Sequence, residues 1–83
     1  MAYERINPIP DKHQAVLNAI GKRILDLRNN TGLSIERFCV KNDIPRISYS
    51  NLEAGQNFHM TTLLKVLDAY PDIKSLGIFF AGI

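Results

Sequence analysis

The residues whose types and spacing best suit recognition chemistry lie between Pro45 and Ala54. Here Arg46, Ile47, Ser48, Ser50 and Asn51 are interleaved with apolar Tyr49 and Leu52 at helical spacing, which gives a helix one outward polar face. Arg46 carries a planar fork of donors, and the Asn51 amide carries a donor beside an acceptor. Such side chains form paired hydrogen bonds to guanine and adenine edges in a DNA major groove, each pair giving about 1–3 kcal/mol of discrimination. Ile47 has no buried task on that face, and a thymine methyl is the contact that suits it. Catalysis has no comparable support. The chain lacks HExxH, a phosphate-binding glycine loop, a Ser/His/Asp arrangement at supporting spacing and any paired carboxylates, so no enzymatic activity is expected. Cys39 alone with the separated His13 and His59 is too little for a zinc site or an internal disulfide, so no metal and no cofactor are expected. Cys39 reads as core packing. No small-molecule ligand site is evident.

The elements that would position this face follow from periodicity and turn chemistry. Residues 1–10 hold Asn7-Pro8 and Pro10 without periodicity and read as an N-terminal arm, in which Arg5 is the one basic group. From an N-cap at Asp11, the residues Val16, Leu17, Ile20, Ile24 and Leu27 define the inner stripe of a helix ending near Asn29. Asn29-Asn30-Thr31-Gly32 is a turn, and Ser34 caps a short helix from Ile35 to about Asn42, with Ile35, Phe38 and Cys39 inward. Asn42-Asp43 breaks it, and Pro45 opens the third helix in its first turn. A fourth helix, from about Thr61 to Tyr70, would bury Leu63, Leu64, Val66, Leu67 and Tyr70. The last segment, Asp72 to Phe80, would turn Ile73, Leu76 and Phe80 inward while Ile78 and Phe79 point elsewhere. No strand alternation and no internal repeat is present, so the expectation is an all-α, compact five-helix bundle formed by a single domain over residues 11–83.

The stretch Ser34 to Gly55 is a short helix, a break and a second helix, the layout of a helix-turn-helix. It resembles the Cro and phage-repressor (XRE-like) helix-turn-helix regulators, over Ile20 to about Tyr70. The family's I-G-x-x-I-x-x-x-R is matched by Ile20-Gly21-Lys22-Arg23-Ile24 with Arg28, and its G-L-S by Gly32-Leu33-Ser34. Its I-S-x-x-E-x-G is similar to Tyr49-Ser50-Asn51-Leu52-Glu53-Ala54-Gly55, with Glu53 and Gly55 in register. Two departures stand out. Phe38-Cys39 replaces the family's Leu-Ala, and Asp43-Ile44 replaces its Gly-Val, which obliges Asp43 to adopt the left-handed or capping conformation that glycine accepts more easily.

The resemblance implies a lambda-repressor-like bundle in which Arg28 pairs with Glu53 beneath the recognition helix, with Phe38, Cys39, Asp43, Ile44, Tyr49, Leu52 and Gly55 as scaffold. It implies a sequence-specific regulator of transcription, a repressor by default, binding double-stranded DNA as a homodimer. Lys22, Arg23, Ser34, Lys41, Gln56 and Asn57 are the expected phosphate contacts, which position the protein without specifying sequence. The C-terminal segment 72–83, through Leu76, Ile78, Phe79 and Phe80, holds more apolar surface than one buried face needs and is the expected dimer interface, with closure over the protein's own core as the other reading of that segment. The alternative is a helical adaptor or antitoxin-like module whose partner is another protein. The overall charge of +2 weakly favours an anionic partner without itself suggesting nucleic acid, and the balance of five basic and five acidic residues after Thr31 is the best support for the alternative. No apolar run reaches the roughly 18 residues of a membrane span, and no signal peptide opens the chain, so a cytoplasmic protein is expected.

Overall fold

The computed structural model describes residues 9–83, so the expected arm with Arg5 lies outside the described residues apart from Ile9 and Pro10. Five helices and no strand are found among them: α1 (Asp11–Thr31), α2 (Ile35–Asn42), α3 (Arg46–Glu53), α4 (Met60–Leu67) and α5 (Leu76–Ala81). The core is built by Ile20 and Ile24 of α1, Phe38 and Cys39 of α2, Ile44, Tyr49 and Leu52 of the α3 region, Leu63, Val66 and Leu67 of α4, and Phe79 of α5. Phe38 lies at its centre, with the Tyr49 ring 5.2 Å away and the Tyr70 ring stacked at 5.9 Å. Each large side chain buried in this way contributes about 1.5–3 kcal/mol.

Local chemistry explains most helix ends. Gly32 closes α1 in the left-handed conformation, at φ 75°, and its amide donates to Asn29 O. The Ser34 hydroxyl caps α2 by accepting from Arg37 N at 3.2 Å. Asp43 ends α2 at φ 56°, the one non-glycine residue of positive φ among those described, with Ile44 N donating to Cys39 O. This is the strained conformation expected when aspartate stands at a glycine position.

The first helix differs from expectation at both ends. It begins at Asp11 rather than being capped by it, because the Pro10 carbonyl accepts from His13 and Gln14. Asp11 therefore acts through the helix dipole instead of through a capping bond. The helix also runs to Thr31, beyond Asn29. Its first turns project past the core, which leaves Val16 exposed and Leu17 half-buried, so the inner stripe starts in earnest at Ile20. Pro45 occupies the cap position just before α3 rather than its first turn.

The larger correction concerns the C-terminal third. Helix α4 stops at Leu67, and Leu64 is exposed where burial was expected. Helix α5 starts only at Leu76, because the Ser75 hydroxyl caps it by accepting from Ile78 N at 3.3 Å. Within it, Phe79 is wholly buried and Phe80 is exposed, the reverse of the expected pair. Phe79 is thus a core residue and not part of a dimer face.

The left-handed Asp43 yields a direct test. Asp43→Gly removes the Cβ strain, partly offset by the greater freedom of glycine in the unfolded chain. It also removes an exposed contact to Lys65 at 3.8 Å, which contributes little. The expected net gain is about 0.5–1 kcal/mol, or a Tm about 2–8 °C higher by calorimetry. A Tm at or below the parent value would mean that the conformation costs nothing.

Candidate nucleic-acid interface

The face singled out from the sequence is carried by α3, which is held from behind by three contacts. Tyr49 and Leu52 are wholly buried. Gly21 of α1 lies so close that a Cβ there would sit 2.6 Å from Glu53 O and 2.9 Å from Leu52 O, so only glycine allows the two helices to meet at this distance. The third contact is ionic. Arg28 Nε donates to Glu53 Oε2 at 2.9 Å and Arg28 Nη2 to Glu53 Oε1 at 3.0 Å, a bidentate pair whose side chains retain 12% and 10% exposure.

Arg28 Nη1 donates in addition to the Leu33 carbonyl at 2.8 Å, so one guanidinium joins α1, the α1–α2 turn and α3. The bond to Glu53, opposed by burial, holds the Arg28 pKa above its ordinary value. The hydroxyls of Tyr49 and Tyr70 are buried nearby without a hydrogen-bond partner of good geometry among the described residues. Burial, reinforced by the Glu53 carboxylate, raises both, with Tyr70 pushed up to about 12, so these phenols stay neutral at any physiological pH. Burial likewise raises the Cys39 thiol, which makes it a poor nucleophile.

On the opposite side of α3, Ile47 is 77% exposed and Arg46 is exposed beside it, while Ser50 and Asn51 follow on the same outward face, half-buried. Ser48 and Asn51 also form one wall of an open polar cleft of about 440 Å³, completed by Asn57, Phe58, His59 and Thr62 from the α3–α4 connection and the start of α4. Of the residues expected to touch phosphate, Asn57 therefore lies beside the outward face of α3, and Gln56, its neighbour in sequence, is exposed. Phe58, His59 and Thr62 were not anticipated. Nothing in their types marks them, and they belong here only because the turn at Gly55 folds α4 back beside α3.

The other expected phosphate contacts are dispersed. Ser34 is exposed but uses its hydroxyl as a helix cap. Lys41 borders a small recess with Thr31, Leu33, Phe38, Asn42 and Ala69, apart from the cleft. Lys22 is exposed and lies 3.5 Å from Asp26 one turn on. Arg23 is half-buried: its guanidinium lies over the Phe79 ring at 5.8 Å and its Nε is buried, so it helps to pack α5 onto α1. No group of three or more potential metal ligands occurs among the described residues, and no helix there is long and apolar enough to cross a membrane.

The Arg28–Glu53 pair gives a second prediction. Glu53→Ala leaves the guanidinium largely buried without its counter-ion, which should cost about 3 kcal/mol, at the low end for a buried pair because some exposure remains. A Tm lowered by more than about 10 °C is expected in thermal unfolding. A variant melting with the parent would show that Glu53 does not hold α3 in place.

Comparison with known proteins returned no match to a family model, to a curated protein or to a solved structure.

Proposed function

We propose that the chain is a sequence-specific double-stranded-DNA-binding regulator of transcription, a repressor by occupancy, in which α2 and α3 act as a helix-turn-helix of the Cro and phage-repressor kind. One observation carries the reading. Helix α3 is fixed by a wholly buried side, a glycine-mediated contact and a bidentate ion pair, yet it presents Ile47 at 77% exposure together with Arg46 and Asn51. A rigidly held helix with an apolar side chain standing free among paired-hydrogen-bond formers suits base-edge contact in a major groove. On this reading Arg46 reads a guanine, Asn51 an adenine and Ile47 a thymine methyl, with Ser48 and Ser50 alongside. The polar cleft takes the adjoining phosphodiester strand, with Asn57 as a donor in it and exposed Gln56 as a donor beside it.

The decisive experiment is a random-sequence duplex selection with the purified chain, followed by binding titrations at several salt concentrations. Affinity should fall steeply with salt, since phosphate contacts release counterions. Arg46→Ala should weaken the selected duplex by about 1–3 kcal/mol and relax preference at one base position. No retardation of any duplex at low salt, or an unchanged sequence profile for the variant, refutes the assignment.

A second copy of the chain is the proposed partner. Leu64, Ile73 and Leu76 line an apolar groove between α4 and α5, and Ile78 and Phe80 stand 46% and 40% exposed on α5. Exposed apolar side chains beside such a groove suit a two-fold, self-complementary contact, and such a dimer would span half-sites about 34 Å apart. Replacing Ile78 and Phe80 by Lys should yield folded monomers by sedimentation, with Phe79 left in place to keep the core. Dimers that persist would put the interface elsewhere.

A further inference from the structure

Gln14 lies outside the helix-turn-helix and outside every expected contact, yet it makes the one hydrogen bond found between the first turns of α1 and the end of α3. Its Nε2 donates to the Gly55 carbonyl at 2.7 Å and to Asn18 Oδ1, one turn along α1, at 2.8 Å. Gly55 is buried in the left-handed conformation at φ 77°, and Asn18 closes over it: a Cβ at Gly55 would lie 2.4 Å from Asn18 Oδ1 and 3.3 Å from Asn18 Cα. The other polar groups of this turn are bound back to α3, Gly55 N to Leu52 O at 3.3 Å and Gln56 N to Asn51 O at 2.9 Å. The plane of the Gly55–Gln56 peptide is therefore held at its oxygen by α1 and at its nitrogen by α3.

That peptide is the pivot of the cleft. Residues beyond it, Gln56 and Asn57, reach their places only through its orientation, and Asn57 faces Ser48 and Asn51 across the cleft. Two soft torsions per residue mean that a released carbonyl at a glycine would let the following residues swing, since glycine itself resists little.

We propose that Gln14 is a positioning residue for the phosphate-contacting side of the DNA site, acting through Gly55 on Gln56 and Asn57 and touching no DNA itself. The inference rests on the DNA-binding reading above. It assigns a task to the projecting first turns of α1, which bury little apolar surface. It also separates two duties: Arg28 and Gly21 fix the helix that reads bases, and Gln14 with Asn18 fixes the turn that grips the backbone.

The test uses Gln14→Met, which keeps side-chain length and helix propensity but removes the donor. In amide correlation spectra the Gln56 and Asn57 resonances should move while those of α2 and α5 stay. Affinity for the selected duplex should drop roughly tenfold, the worth of one well-placed hydrogen bond, with base preference unchanged. In a background carrying Gln56→Ala and Asn57→Ala the same change should cost less than about twofold, because the groups it positions are gone. A merely structural role would lower Tm alone and leave the affinity of the folded protein as it was. Unmoved amides, affinity within about twofold of the parent, or an equal loss in both backgrounds would each overturn the proposal. A parent chain that binds no duplex would bring down the DNA reading and this inference together, whereas a parent that binds and a variant that binds equally well would remove this inference only.

Discussion

The Arg28 guanidinium donates in three directions, to both oxygens of Glu53 and to the Leu33 carbonyl, and the arrangement of the N-terminal three helices depends on it. Its planar fork is the reason a single side chain can satisfy a carboxylate and a backbone acceptor at once, which a lysine could not do with the same geometry. Because the pair sits at the end of α3 nearest α1, it works together with the Gly21 approach, where the helix backbones come too close for any Cβ. Charge and close packing thus both act at the C-terminal end of α3, where the ion pair links Glu53 to α1 and Gly21 lets the two helices approach closely.

What α3 shows to its surroundings follows from that anchoring. With Tyr49 and Leu52 committed to the core, Ile47 and Asn51 must face outward, and Arg46 stands at the helix start where a groove-reading helix makes its first contacts. Electrostatic attraction for a polyanion is modest in this chain. Net charge is small, Lys22 has an acidic neighbour, and Arg23 is spent on the aromatic face of Phe79. The proposed DNA site accordingly leans on shape and on neutral donors such as Gln56 and Asn57, whose usefulness depends on being held in place. This is why the Gln14 contact to Gly55 has weight beyond its single hydrogen bond.

The C-terminal segment divides its apolar residues between two tasks. Phe79 closes the core beneath Arg23, while Ile78, Phe80 and Leu64 remain on the surface. The two phenylalanines, neighbours in sequence, meet edge-on at 5.3 Å, one buried and one exposed. A self-association through α5 would therefore bear directly on the core, and through Phe79 on α1.

The residues themselves determined the helical class, the extent of α2 and α3, the caps at Gly32 and Ser34, the strained Asp43 and the pairing of Arg28 with Glu53. The helices and their caps rest on local rules, since turn chemistry is written in two or three adjacent side chains and the inner stripe of a helix repeats every three to four residues, whereas the Asp43 conformation and the Arg28–Glu53 pair were implied by the family resemblance. Tertiary structure alone decided the rest. Whether Val16 or Leu64 is covered depends on how far a helix projects past its neighbours, and periodicity carries no information about that. Phe79 and Phe80 exchanged roles because neighbouring helical residues point about 100° apart, and which of the two turns inward was set by how α5 packs on the core, with Phe79 beneath Arg23. Phe58, His59 and Thr62 came to the cleft, and Gln14 to Gly55, across separations in sequence that no periodic pattern spans. The outward face of α3 was legible because one short helix carries it whole, whereas the cleft beside it exists only once separate segments have packed.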